Sequence, residues 1–278
     1  LKAPYSQRTD STHVLAKIRD LSRLESLGET LRSALNSIAV VAPLWLQAIV
    51  PDNWYKRYAR KFEESRLPMT ETKRTELATT IGADGFYLLD VLWSSEALSW
   101  LCQINAVEIL RQVWLQQYYA PEPNGEVHLR SASDSPPGAI RIRSPYDQDA
   151  RLGTKRSKSW TGYKVHLSET CDQDAPHLIT SVETTRATIT DREVLSEIHQ
   201  ELAEHNLLPS EHLVDAGYMD GELMVNSQTE YSVNLIGPIP IDGQWQSKAG
   251  KGYGISNFEV DWKKKLLRSK NTIPMPSI

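Results

Sequence analysis

Two aspartates occupy positions suited to metal-assisted phosphoryl chemistry. Asp215 closes the apolar run "HLVD" just before the turn "AGY", and Asp10 is the only carboxylate in the extended segment "QRTDSTHVLAKI". Open α/β sheets collect their ligands at the C-terminal ends of strands. If the strands carrying these residues are neighbours, the two carboxylates converge at one edge of the sheet although they stand 205 positions apart. Two hard oxygen donors, with the remaining positions left to water and phosphate, make a site for Mg2+ or Mn2+. Such sites often hold two ions about 3.5 to 4 Å apart, which stabilise the attacking and leaving oxygens of an in-line displacement.

Plainer roles compete with this one. An aspartate at a strand end is more often a turn or cap residue than a ligand, so spacing alone leaves both readings open for Asp10 and Asp215. Asp220 precedes "GELMV", where its carboxylate can accept from the unpaired N–H groups of a first helical turn, and N-capping is the better account of it. His13 and His166 read as scaffold or phosphate-facing residues, because hard cations prefer oxygen.

The elements that must position these residues follow from periodicity. Residues 7–18 read as a strand. From residue 21 to 119 the spacing becomes helical, with Leu21, Leu24, Leu27, Leu31 and Leu35 three or four apart and Pro43, Pro51 and Pro68 separating helices. A Pro-, Gly- and Ser-rich connection follows. In "TGYKVHLSE" the period becomes two, and "HLITSVETT" repeats it. Thr190 and Glu193 form a capping box for a helix carrying Val194, Leu195, Ile198 and Leu202 on one face. Then come the strand "HLVD", a helix from about Asp220 to Gln228, and the strand "YSVNLIGPI". This order predicts an α/β fold, a mixed sheet with helices packed on it.

A net charge of -4 and a pI near 6.0 argue against a surface that is basic throughout. Between Arg141 and Glu169, however, seven Lys or Arg face three acids, a local net of +4. Arg151, Lys155, Arg156, Lys158 and Lys164, with Trp160 and Tyr163 available to stack on bases, are therefore candidates for DNA contact, against the alternative of a solvated loop. No run of 18 or more apolar residues could span a bilayer, so no membrane role is expected. Cys102 and Cys171 are too few for a disulfide framework and lack metal-ligand spacing, which suits a reducing cytosol. The sequence opens on Leu1 with no signal-peptide pattern, and we expect a chain truncated at its N-terminus.

Four segments together, "QRTDSTHVLAKIRDLSRLESLGETLR", "SPYDQDARLGTKRSKSWTGYKVHLSET", "HLITSVETTRAT" and "LPSEHLVDAGYMD", resemble the insertion-sequence DDE transposases, bacterial mobile-element enzymes. The resemblance runs from about residue 4 to residue 262. It implies a ribonuclease H-like catalytic core with a large all-helical insertion after the first strand. The first strand would occupy 1–20, the insertion 21–120, a basic linker 121–159, the rest of the core 160–240 and a C-terminal extension 241–278. It further implies that Asp10 and Asp215 are the first and second catalytic acids of a Mg2+-dependent enzyme. In the implied reaction, water attacks the phosphodiester at the element's end and the freed 3'-hydroxyl then attacks target DNA. The implied partners are double-stranded DNA at transposon ends and target sites, with the chain a homo-oligomer on DNA in the bacterial cytoplasm, associated with the nucleoid.

The sequence departs from the family pattern in two respects. No helical DNA-binding segment precedes Asp10, and the Tyr, Arg, Glu motif that brings the third acid is not found beyond Asp261 and Trp262. The tail "KKKLLRSKNTIPMPSI" reads as truncated or out of frame, and Glu259 sits in a strand-like alternation that suits it poorly for the missing role. The expectation is a transposase fragment made inactive by the lack of a third acid. The rivals are a non-catalytic DNA-binding remnant of a mobile element and a ribonuclease H-like nuclease with another task.

Overall fold

The computed structural model describes residues 5–18, 21–119, 125–155, 157–238, 248, 258–261, 264 and 266–269. The chain forms two compact units. The first comprises Leu1–Thr9, Glu169–Thr180 and Leu195–Ile278, and the second Asp10–Ser168 and Ser181–Val194.

Strand β1 (Ser6–Leu15) comes first in the chain, and β5 (Glu211–Val214) follows some two hundred residues later. In unit one they pair in parallel, with Ser6 opposite Glu211 and Thr9 opposite Val214, so the neighbours expected from the sequence are neighbours. Beyond β5 lies β6 (Asn234–Ile236), also parallel. Parallel neighbours need a crossover, and α7 (Gly221–Tyr231) supplies it, packing on β6. On the other side of β1 runs β3 (Lys158–Thr170), where the Cys171 N–H donates to the Ser6 carbonyl at 3.0 Å in unit one. The Ala16 N–H donates to the Thr161 carbonyl at 3.0 Å in unit two, so β3 is antiparallel to β1. Its far edge carries β2 (Arg151–Lys155) and β4 (Ile179–Arg186), completing a mixed sheet in the order β2-β3-β1-β5-β6, with β4 also on β3. Helix α6 (Asp191–Glu204) connects β4 to β5.

The β1–β3 contact depends on Gly162. Its φ of 154° is one that L side chains rarely adopt, and a Cβ there would lie 2.6 Å from the Ala16 nitrogen. Strand β2 corrects the sequence reading, which left 121–159 without regular structure. Its five residues pair with Lys158 to Gly162, yet "RLGTK" is too short and too charged to announce a strand by alternation.

Unit two also holds α1 (Arg23–Val41), α2 (Pro43–Ile49), α3 (Asn53–Tyr58), α4 (Glu71–Leu92) and α5 (Asn105–Gln117). A capping box opens α1, with the Ser22 N–H donating to Glu25 Oε2 at 2.8 Å. The predicted leucine stripe is the buried one: Leu24, Leu27 and Leu31 are at most 7 % exposed, and they pack with Ile81 and Leu88 of α4 and Leu110 and Trp114 of α5. Pro43 begins α2, as expected of a residue that lacks an N–H and is pre-set for the first helical turn. Two carboxylates of α1, Glu25 and Glu29, are buried in this layer. Burial works against the charge of Glu29, but Arg32, the Tyr146 hydroxyl and the Phe62 N–H all donate to it and hold its pKa below the usual carboxylate range.

Helix α4 receives the indole of Trp114 over Gly85 and the phenol ring of Tyr118 over Gly82. Both polar tips are satisfied by α4 carbonyls that the glycines leave open to approach, Trp114 Nε1 donating to Gly82 at 2.9 Å and the Tyr118 hydroxyl to Ala78 at 2.8 Å. A Cβ at Gly85 would fall inside the Trp114 ring. We therefore expect Gly85→Ala to destabilise the protein by about 1–3 kcal/mol through overpacking, despite the better helix propensity of Ala. Gly138→Ala, with nothing within 4 Å, should stay within about 0.5 kcal/mol in the same urea titration.

Candidate active site

Alternation along β5 buries His212 and Val214 and turns Glu211 and Leu213 outward. The strand then stops because Asp215 turns the chain. Its Oδ1 accepts the Gly217 N–H at 2.8 Å, and its carbonyl accepts the Tyr218 N–H at 3.2 Å. Tyr218 and Met219 drop back into the core at 0 % and 3 % exposure while Asp215 stays exposed. Gly237, just after β6, lets a second backbone come close, since a Cβ there would lie 2.5 Å from the Val214 carbonyl. The turn role and a ligand role are compatible for Asp215, because the turn uses one carboxylate oxygen and leaves the other unpaired among the described residues.

Asp10 belongs to unit two and is likewise exposed, with Oδ1 accepting the adjacent Ser11 N–H at 2.7 Å. The β1–β5 register in unit one ends at Thr9 and Val214, and each aspartate is the next residue of its own strand. Asp220 takes the capping role expected of it, with Oδ1 accepting the Glu222 N–H at 2.9 Å at the start of α7.

Directly behind Thr9, sequence reasoning missed a chain of buried polar groups in unit one. The Ser227 hydroxyl donates to the Leu223 carbonyl at 2.7 Å, which leaves its oxygen to accept from His199 Nδ1 at 3.5 Å. His199 Nε2 then accepts from His212 Nδ1 at 2.9 Å, and His212 Nε2 accepts from the Thr9 hydroxyl at 2.6 Å. All four residues are at most 3 % exposed. His199 fits this arrangement only as a neutral ring, since a proton on its Nε2 would face the His212 Nδ1–H. Burial pushes the His199 pKa down to about 4, and burial with the nearby His199 pushes that of His212 down to about 3. Period-two alternation along "HLVD" was the available signal for His212. For His199 it was the position one residue after Ile198 of the apolar face of α6.

The basic candidates divide by environment. Arg151 is 5 % exposed, and its guanidinium donates to the carbonyls of Ala139, Gln148 and Ala150, so it braces the loop before β2. Lys164 donates to the Ile189 carbonyl at 2.5 Å and to Asp191 at 3.1 Å, at the start of α6. Lys155 and Lys158 are exposed and lie opposite each other in the β2–β3 hairpin. Arg156 lies outside the described residues. Trp160 is 8 % exposed with its Nε1 donating to the Tyr163 carbonyl, and the Tyr163 hydroxyl donates to Asp147 at 2.6 Å. Burial and that bond push the Tyr163 pKa up to about 12. Trp160 is not presented for stacking on bases, a correction to the sequence reading, whereas Tyr163 is half-buried with its hydroxyl engaged.

His166 is fully buried, 3.1 Å from the Thr185 hydroxyl, and His13 lies against Trp160 with ring centres 5.2 Å apart. Both fit the scaffold role. Glu259 is exposed in β7 (Phe258–Asp261), which pairs with β8 (Leu266–Ser269) in a separate two-stranded sheet. Among the described residues, no group of three or more His, Cys, Asp or Glu could hold a metal ion. Comparison with protein-family models, with curated proteins and with solved structures returns no match.

The histidine pair gives the protein a pH signature. An unfolded histidine takes up its proton near pH 6.5, whereas the folded pair does so only near 4 and below. Between these limits the unfolded chain binds more protons, so stability falls as the pH falls. In urea titrations at pH 7 and pH 4.5, the parent should lose more than about 1 kcal/mol beyond the loss in the double variant His199→Gln, His212→Gln. Equal losses would show that the pair titrates normally.

Proposed function

We propose that this chain is the catalytic core of an insertion-sequence DDE transposase, with a ribonuclease H-like fold into which the helices between β1 and β2 are inserted. The observation that carries the reading is the parallel pairing of β1 with β5, whose register ends one residue short of Asp10 on one strand and of Asp215 on the other. The placement of β1 between an antiparallel and a parallel neighbour is also what such a core requires.

Each carboxylate has one oxygen engaged by a local N–H, and both are exposed, a donor set suited to a hard divalent cation. Asp10 and Asp215 would hold Mg2+ or Mn2+, which when bound would supply charge stabilisation to an attacked phosphodiester. The turn at Gly217 and the N–H of Ser11 restrict the carboxylate rotamers, so the protein's part is to orient these oxygens. With no group of three or more His, Cys, Asp or Glu placed to hold a metal among the described residues, two acids would hold the ion loosely and DNA cleavage and strand transfer would be slow or absent. Lys155 and Lys158 are the backbone contacts we retain from the basic stripe. Arg151 and Lys164 act as internal braces.

The absence of a three-acid group among the described residues also favours a second reading, a non-catalytic DNA-binding remnant. Calorimetric titration with Mn2+ and incubation with the DNA flanking the coding sequence separate the two. The transposase reading expects weak, saturable Mn2+ binding lost in Asp10→Asn and in Asp215→Asn but kept in Asp220→Asn, with any nicking following the same pattern. Binding to DNA that ignores all three substitutions, without Mn2+ binding, would leave the remnant. In either case Lys155→Ala and Lys158→Ala should each lower the salt dependence of duplex binding by about one unit of slope.

A further inference from the structure

We propose that Arg23, Arg141 and Arg143, in the helical part of unit two, form a binding site for one phosphate-type oxyanion. The three side chains line a single recess of about 10 Å3 together with Ser26 and Gln117, and among the described residues no carboxylate lines it. Its walls are fixed. Arg23, the first residue of α1, donates through Nε to Gln117 Oε1 at 2.8 Å and through Nη2 to the Gln117 carbonyl at 3.4 Å. The segment bearing the other two arginines is tied to both helices: the Ser26 hydroxyl donates to the Arg143 carbonyl at 3.1 Å, and the Ile142 N–H donates to Gln116 Oε1 at 3.0 Å. Ile142, 5 % exposed, anchors the segment in the core between the two arginines.

Gathering like charges at a partly buried site costs free energy unless something neutralises them. Several other arginines of the unit have acids, Arg32 pairing with Glu29, Arg57 with Asp84 and Arg111 with Glu108, while the buried Arg151 is satisfied by carbonyls. Among the described residues no carboxylate pairs with Arg23 or Arg141. Burial and Arg141 pull the Arg23 pKa down, and burial and Arg143 do the same to Arg141, which is the signature of cations lacking a counter-ion. Guanidinium forks bind phosphate oxygens in pairs, which makes an oxyanion the natural occupant. The recess admits one water-sized group, so it would take an oxygen and leave the phosphorus at its mouth. That geometry suits orthophosphate and the non-bridging oxygen of a DNA phosphodiester alike, and the second source rests on the transposase reading.

The test is a thermal melt of the full chain against orthophosphate, with ionic strength held constant by sodium chloride. The parent should show a saturable rise in Tm. Arg141→Gln should show none, yet in chloride alone it should melt at or above the parent, because a like-charge contact has been removed. Lys73→Ala, exposed on α4 and outside the recess, should respond as the parent does. An equal phosphate response in parent and Arg141→Gln would overturn the site, and so would a melt of Arg141→Gln far below the parent in chloride, which would make the cluster a structural brace. A duplex-binding arm identifies the source. A salt slope lower by about 1 in Arg141→Gln, with competition by orthophosphate, assigns the site to DNA. An unchanged slope with the thermal response retained assigns it to free phosphate. Loss of Mn2+ binding and cleavage in the parent would remove the transposase reading and leave the phosphate response standing.

Discussion

The parallel seam between β1 and β5 is the constraint on which the first unit depends. Its partners are far apart in the chain, with Thr9 and His212 separated by 203 positions, so closing it is entropically expensive and must be repaid by buried contacts. Hydrogen bonds between two short parallel strands do this only weakly, because each replaces a bond to water. The Thr9, His212, His199 and Ser227 chain adds directional contacts beneath the seam and links β1, β5, α6 and α7. A slip of one residue would carry His212 to the other face and leave buried polar atoms without partners. Register is thus specified by polar pairing as well as by apolar burial.

The helical part of unit two is organised differently. Its core is apolar and locally connected, and its polar groups are used to tie irregular segments to helices. Glu29 fixes the backbone at Phe62, Gln116 fixes Ile142, and Arg151 fixes the loop ahead of β2. In each case one side chain satisfies main-chain atoms that the loop cannot satisfy itself. This explains why basic residues there read ambiguously. A guanidinium turned to carbonyls and one turned to solvent have the same sequence signature.

Much of this was legible in the sequence where periodicity governs. The leucines of α1, the helix after Thr190 and the cap at Asp220 follow from local rules, and all three form, with only half of the capping box made at Thr190. Glu193 accepts the Thr190 N–H at 2.6 Å, although the Thr190 hydroxyl donates to the same carboxylate instead of accepting from the helix. Elements governed by long-range pairing were harder. The expected helix through "EALSW" gives way to turns and a 3-10 segment, Ser99–Gln103, ahead of α5. Strand β2 exists because β3 extends beyond "TGYKVHLSE" and offers it an edge. Of the candidate site, the two aspartates could be found from strand ends and motif, whereas the histidine pair behind them is a tertiary event between α6 and β5.

The glycines of α4 decide where that helix draws its stability from. Gly82 and Gly85 each cost a helix interior about 1 kcal/mol relative to Ala, so α4 has little tendency to form before its partner arrives. Helix α1, with its capping box and continuous leucine stripe, has no such handicap. Trp114 and Tyr118 settle over the two glycines and bond to α4 carbonyls, so α4 gains its stability only as these rings dock. Of the helices in this layer, α4, the longest described, is therefore the one whose stability leans most on side chains supplied by a partner.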